Sequence, residues 1–218
     1  MNVESETVNQ LPRIGSSAPD FTAQTTHGQL SLSDFKGKWF VLFSHPADFT
    51  PVCTTEFVAF QHIYPQLKEE GVELLGLSVD SVSSHLAWIR NIEQNFNLSI
   101  EFPVIADLDR KVATSYGMIM PDESQTETSR AVFVIDDNQK VRSIIYYPLT
   151  TGRNMDEIVR LVKALKTTDK HKTPTPANWN PGDSVLLSPP KTHDDMKVRE
   201  QQQDLECIDW YLCKKRLP

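Results

Sequence analysis

The sequence predicts an α/β chain, a central mixed sheet with helices on both faces followed by an extended C-terminal arm. Apolar runs of strand length alternate with segments of helical period up to about residue 170. One pair of runs is separated only by turn residues, which makes part of the sheet antiparallel. Past Thr173, prolines accumulate and the alternation stops.

Trp39 to Phe43 is the first central strand. From Thr54, Phe57, Phe60, Tyr64 and Leu67 recur at spacings of three and four, the signature of one buried helix face, and Gly71 ends that helix. "VELLGLSV", Val72 to Val79, is the next strand. Ser83 is placed to cap a helix that turns Leu86, Ile89 and Phe96 inward. A short strand over Pro103 to Ala106 and a short helix over Asp109 to Tyr116 follow, then "AVFVIDDNQKVRSIIYY", a hairpin around Asp136 to Asn138. Asn154 can cap a last helix whose inner face carries Met155, Ile158, Val159, Val162 and Leu165. Five of the 14 prolines fall between Pro174 and Pro190, so that stretch is an extended arm without regular structure. Trp179, Val185, Leu186 and Leu187 make it too apolar for a free tether. The end, "DLECIDWYLCKKRLP", reads as a tail that docks on this subunit or a neighbouring one. The domain reading is therefore 11–170 for the α/β domain and 171–218 for the arm and dimerisation region.

The chain of 218 residues carries 22 Lys and Arg against 29 Asp and Glu, a net charge of −7, which gives no reason to expect nucleic acid. The basic clusters at Lys170 to Lys172 and Lys214 to Arg216 read as solvated surface. No apolar run approaches the roughly 18 residues a membrane helix needs, and the first twenty residues lack the apolar core of a secretory signal. A cytoplasmic location follows as the expectation.

Three cysteines, Cys53, Cys207 and Cys213, are too few and too uneven for a disulfide framework, and no CxxC occurs to hold zinc or form a redox dithiol motif. Neither a metal nor an organic cofactor is called for. Cys53 stands in "SHPADFTPVCTTEF", where a strand hands over to a helix. With Thr50 as N-cap, Pro51 takes the first helical position, where its missing N–H is harmless, and Cys53 the third. Unpaired N–H groups and the positive end of the helix dipole favour a thiolate there. Taken by position alone, a lone cysteine after a core strand is most often a small buried hydrophobe.

Pro46, Thr50 and Cys53 spell PxxxTxxC, and here the sequence resembles the peroxiredoxins, thiol peroxidases of the thioredoxin-like fold. "TSRAVFVID", "YYPLTTGRNMDEIVR" and "ANWNPGDSVLLSPP" extend the resemblance to the peroxiredoxin 6, or 1-Cys, subfamily from about Leu11 onward. The two cysteines near the end are similar to the pair in archaeal-type thioredoxin peroxidases. The resemblance implies that Cys53 is the peroxidatic nucleophile, that Thr50 hydrogen-bonds it and orients peroxide, and that Pro46 covers the pocket. It implies that Arg130 lies beside the sulfur and binds peroxide oxygens, with the capping of a strand edge as the structural alternative. Arg153 is implied as a second arginine of the site; preceding a helix, it also reads as structural. His45 matches a subfamily histidine near the peroxide pocket, or is simply a packed histidine. Glu56 is expected to pair with an arginine, and His62 and His85, on apolar helix faces, to be structural.

The implied chemistry is attack of the Cys53 thiolate on a peroxide oxygen, which leaves a sulfenic acid to be reduced by a second cysteine or by an external thiol. The substrates implied are hydrogen peroxide and organic hydroperoxides, and the reductant a thioredoxin-like protein or a small thiol. By the archaeal likeness Cys213 is the resolving cysteine, acting on a partner subunit with Cys207 exchanging; both are alternatively unreactive. On a helix, six residues turn through about 600°, which would put the two on different sides. Members of this kind form homodimers that assemble into rings, typically decamers. Some animal relatives also cleave phospholipid through a GxSxG-like segment, but Gly37-Lys38-Trp39 lacks the serine, so that activity is not expected. A thiol–disulfide redox sensor and a chaperone-like assembly are the other classes in view.

Overall fold

The computed structural model describes residues 11–202 and 205–217. The chain divides into two compact units, one ending at Met155 and the other starting at Asp156. In the first unit the elements run β1 (Thr22–Thr25), β2 (Gly28–Ser31), a short 3-10 helix (Leu32–Phe35), β3 (Trp39–Ser44), α1 (Pro51–Glu69), β4 (Val72–Ser78), α2 (Val82–Phe96), β5 (Val104–Ala106), α3 (Lys111–Ser115), β6 (Arg130–Ile135) and β7 (Val141–Tyr147). Seven strands form one sheet in the order β2-β1-β5-β4-β3-β6-β7. β3, β4 and β5 are parallel neighbours joined through α1 and α2, whereas β6 and β7 pair antiparallel as the predicted hairpin. The edge pair β1 and β2 was not anticipated, since its residues are mostly polar, half of them exposed, and carry no apolar alternation.

The central strands are buried on both sides, and successive residues alternate between two apolar layers. Phe40 and Leu42 of β3 join Leu75, Leu77 and Phe133 in a cluster with Val112 and Ala113 of α3 and Leu32 and Phe35 of the 3-10 helix. On the other face, Phe43 stacks on Phe60 at 3.9 Å and meets Phe57 and Phe102 edge-on. Gly76 in the middle of β4 makes this possible, because a Cβ there would stand 3.1 Å from Phe43 Cζ. Helices thus cover both faces of the sheet.

α2 is capped by Ser81, whose side chain accepts from Ser84 N, and not by Ser83. The inward face carries His85, Trp88 and Ile92, while Leu86 and Phe96 are about half exposed. His85 can occupy that face because Asp48 and Ile105 O bond both of its ring nitrogens. His62 is exposed, contrary to its expected place on an apolar face.

The second unit holds most of α4 (Met155–His171), then β8 (Val185–Leu186), α5 (His193–Glu200), β9 (Glu206–Asp209) and β10 (Leu212–Lys215). The proline-rich stretch lacks regular structure as expected, apart from β8, but it turns at 177–178 and 181–182 and does not run extended throughout. Beyond it the tail is regular, since β8, β10 and β9 form a three-stranded antiparallel sheet. Ala164, Trp179 and Val185 form a buried cluster in this unit, and Trp179 Nε1 donates to Asp183 O. Cys207 and Cys213 face each other across the β9–β10 hairpin and form a disulfide. A hairpin replaces the helical geometry that would have separated them, because cross-strand partners are neighbours whatever their separation in sequence. Among the described residues no helix is long and apolar enough to cross a membrane.

Candidate active site

The site lies where β3 ends and α1 begins. Thr50 is the N-cap in extended conformation (φ −110, ψ 148) and Pro51 opens the helix, so Cys53 falls in the first turn as predicted. Phe49, the residue before the cap, has φ +55, a left-handed conformation costly for a side chain of its size. The Thr50 hydroxyl donates to Ala47 O at 2.9 Å and makes no cap to the first turn, so it does not claim the amide N–H of Cys53. Cys53 is fully buried, and Pro46, seven residues before it, is buried too.

Antiparallel pairing explains how a residue 77 positions away reaches that sulfur. β6 runs against β3, with Phe43 opposite Val132, so the start of β6 adjoins the end of β3. Ser44 Oγ fastens the junction, donating to Ser129 O at 2.6 Å and accepting from Ala131 N at 3.1 Å. Arg130, the first residue of β6, therefore lies against α1. Its Nη1 donates to Cys53 Sγ at 3.3 Å and to Glu56 Oε2 at 2.7 Å, while Nε and Nη2 both donate to Leu149 O. The capping of a strand edge does not describe it.

Arg153 closes the cluster from the other side. Its Nη1 donates to Ser44 O and Ala131 O, both at 2.9 Å, its Nε to Glu56 Oε1 at 2.9 Å and its Nη2 to Glu56 Oε2 at 2.6 Å. Glu56 also accepts from Arg153 N. A single carboxylate, three residues along α1 from Cys53, thus holds two guanidinium groups. Burial opposes its ionisation, but the Arg153 charge and hydrogen bonds and the Arg130 charge outweigh that and keep its carboxyl below the ordinary value. Burial pulls the Arg153 guanidinium down, against the pull of Glu56.

A second polar group lies behind the β3–α1 connection. His45 Nε2 is 2.9 Å from Asp48 Oδ1, His85 Nδ1 is 2.8 Å from Asp48 Oδ2, and His85 Nε2 is 3.1 Å from Ile105 O. The His45 ring packs edge-on against Phe57 at 4.8 Å and near Trp88 at 5.1 Å. Phe57 is one helical turn beyond Cys53. Burial lowers the His45 pKa; Asp48, although burial opposes its ionisation, is held below the usual carboxylate range by hydrogen bonds from both histidines. These three residues bring metal-type donor atoms within 4.8 Å of one another, and those atoms bond mainly to each other and to Ile105 O. Asp48 was not singled out in the sequence. Its spacing of three from His45 in "HPAD" was the available signal, but His85 arrives from another helix.

Cys53, Thr50, Pro46, His45, Arg130 and Arg153 therefore belong to one locality, whereas Cys207 and Cys213 belong to the second unit and are bonded to each other. Cys53 is the free cysteine.

Residues 14–144 match the AhpC/TSA family model, and 164–203 match the C-terminal domain of 1-Cys peroxiredoxin. Peroxiredoxin 2 of Caldanaerobacter subterraneus is 52% identical over 99% of this chain and 100% of its own length, and the peroxiredoxin of Aquifex aeolicus is 53% identical over 96% and 99%. Among solved structures, a yeast mitochondrial 1-Cys peroxiredoxin, described for thiol resolution via glutathione/thioredoxin systems, superposes with a TM-score of 0.85 at 41% identity, covering 95% of this chain and all of the other. Peroxiredoxin 6 of Arenicola marina, as a cysteine-to-serine mutant, gives 0.84 at 36% identity over 94% and 98%. With a family model matched over residues 14–144, relatives about half identical over nearly the whole chain and the fold shared with solved peroxiredoxins, the chain belongs to the AhpC/TSA family of peroxiredoxins and is a thiol-dependent peroxidase.

Proposed function

We propose that Cys53 is the peroxidatic nucleophile and that the chain reduces hydrogen peroxide and organic hydroperoxides to water and alcohols, in antioxidant defence and redox homeostasis. The observation that carries this is the 3.3 Å contact from Arg130 Nη1 to Cys53 Sγ in the first turn of α1. An anionic sulfur needs a fixed donor, and Arg130, Arg153, Glu56 and a Cys53 thiolate together sum to zero charge. In the reaction the thiolate sulfur forms a bond to one peroxide oxygen, the O–O bond breaks, the other oxygen leaves as hydroxide or alkoxide and takes up a proton, and Cys53 becomes a sulfenic acid. Arg130 and Thr50 hold the two oxygens, Pro46 covers them, His45 contributes to substrate binding and Arg153 fixes Arg130 through Glu56.

Cys213 is proposed to resolve the sulfenic acid on a partner subunit, releasing water and forming a mixed disulfide. Cys207 then displaces Cys53 and forms the disulfide with Cys213. The pairing of Cys207 with Cys213 across the hairpin supports that exchange. The reductant is a thioredoxin-like protein or a small thiol. The functional division is 11–170 for the peroxidase domain and 171–218 for the arm. The homodimer assembles into a ring, a decamer, in the cytoplasm.

The test is non-reducing electrophoresis with mass spectrometry after one equivalent of hydrogen peroxide, on the native chain and on Cys53→Ser, Cys207→Ser and Cys213→Ser. A Cys53–Cys213 crosslinked dimer is expected to accumulate in Cys207→Ser and to be absent from Cys53→Ser and Cys213→Ser, while the native chain passes on to the Cys207–Cys213 disulfide. Oxidised Cys53 without a crosslink in Cys207→Ser would reduce the cycle to one cysteine, and unmodified Cys53 in that variant would remove it from the chemistry.

A further inference from the structure

Cys207 and Cys213 share one disulfide, yet the fold treats the two sulfurs differently. In the sheet order β8-β10-β9, Cys213 lies on the central strand and Cys207 on an edge strand. A central strand has neighbours on both sides, whereas an edge strand has one and is less covered. The accessibilities follow that order. Cys213 is 0% exposed, while all four residues of β9, Cys207 among them, are exposed. β10 is also tied down on its other side: Lys214 and Lys215 pair with Leu186 and Val185 of β8, and Leu187 N donates to Cys213 O at 3.0 Å. Reaching Cys213 Sγ thus requires β10 to open, whereas Cys207 is at the surface of the closed sheet.

We infer that the reductant attacks this disulfide at Cys207 Sγ, which makes Cys207 the receiving sulfur and Cys213 the leaving one. The inference deepens the proposed cycle and rests on it for the place of the disulfide in turnover. Exchange proceeds by attack of a thiolate on one sulfur of the pair, and access decides which. A thiolate of the reductant forms a bond to Cys207 Sγ and the Cys207–Cys213 bond breaks. Its electron pair goes to Cys213, which takes up the proton that the attacking thiol released. A second reductant thiol then displaces Cys207, which leaves as a thiolate and is protonated in turn. The reductant ends as a disulfide and both cysteines as thiols. Leaving-group chemistry alone favours the opposite polarity, because a thiolate departs more readily into water than into a buried site. At Cys213 the nearby carbonyls, Asp209 O at 3.5 Å and Trp210 O at 3.9 Å, accept an S–H and repel a bare thiolate, so proton uptake accompanies its departure. Burial outweighs that preference, since a sulfur that no thiolate reaches is not attacked. A protein dithiol and a small thiol share this chemistry, and both meet the same exposed cysteine.

The experiment maps the first adduct. The full chain carrying Cys53→Ser, in which this pair supplies the only cysteine sulfurs, is oxidised by diamide to the Cys207–Cys213 disulfide. One arm receives a thioredoxin whose second active-site cysteine is serine, so that its mixed disulfide is trapped; the other receives glutathione. Acid quenching at early times, then fragmentation of the peptide between Ile208 and Leu212, assigns the adduct to one cysteine. Cys207 is expected to carry it at least about tenfold over Cys213 in each arm that reacts, because only an opened β10 exposes Cys213. Reaction on Cys207 in the thioredoxin arm alone supports the inference with a protein dithiol as the source, and in the glutathione arm alone with a small thiol. A larger share on Cys213 overturns it, as does a disulfide that neither arm opens. Failure of the underlying cycle looks different: hydrogen peroxide then forms no Cys207–Cys213 disulfide in the native chain, while the diamide-oxidised chain still maps to Cys207.

Discussion

Replacing Glu56 by Gln removes the carboxylate charge from between two guanidinium groups, and the structure sets the size of the effect. The Arg153 side chain is 0% exposed, that of Arg130 3% and that of Glu56 2%. Glu56 accepts four hydrogen bonds, three from Arg153 and one from Arg130. Breaking a buried pair by neutralising one partner costs about 3–5 kcal/mol, since the remaining charges stay desolvated. At about 2–4 °C per kcal/mol for a chain of this size, the melting temperature should fall by about 6–20 °C. Calorimetry of the reduced protein measures it. The pH dependence carries the second half of the test. Because the folded Glu56 carboxyl lies below its ordinary value, its contribution is complete above the unfolded value of about 4.3 and is lost as pH falls through the folded one. The gap between native chain and variant should therefore be widest near neutrality and close in acid. A melting temperature within about 2 °C of the native one at neutral pH, on the same scale, would refute the view that Glu56 neutralises this cluster.

Other perturbations follow from the same geometry. Arg130→Lys keeps a charge but loses the planar fork that reaches Cys53 Sγ, Glu56 and Leu149 O together, so Cys53 oxidation should slow by about 10²–10³-fold in stopped flow. A native rate would remove Arg130 from the reaction. Gly76→Ala pushes a methyl to 3.1 Å from Phe43, which Phe60 holds at 3.9 Å from behind, and should cost about 1–3 kcal/mol by denaturant titration. Trp179→Ala empties the buried cluster of the second unit and should cost about 3–5 kcal/mol, with hydrogen-exchange protection lost first around Val185.

Much of the architecture is carried by short-range pattern. The strands at Trp39, Val72 and Ala131 and the helix after Thr50 follow from apolar period, capping and the proline at the first helical position, all of which act within a few residues. Where local signals were weak or competed, the reading slipped. Ser81 and Ser83 are both residue types that cap helices, and the side chain that accepts from the first turn is that of Ser81; the tail, read only as a docking segment and weighed as a helix, is a sheet because its strands find each other across the chain.

The sequence by itself determined that one cysteine sits in the first turn of a helix behind a core strand, with Thr50, Pro51 and Pro46 around it, because those constraints are local. It also supplied Arg130 and Arg153, through likeness to a family. Only the tertiary structure decided that Glu56 ties both arginines together, that Asp48 joins two histidines 40 positions apart, and that Cys207 faces Cys213. Those pairings depend on which strand lies antiparallel to which and which helix face is buried, and such choices are settled by burying apolar surface over the whole chain.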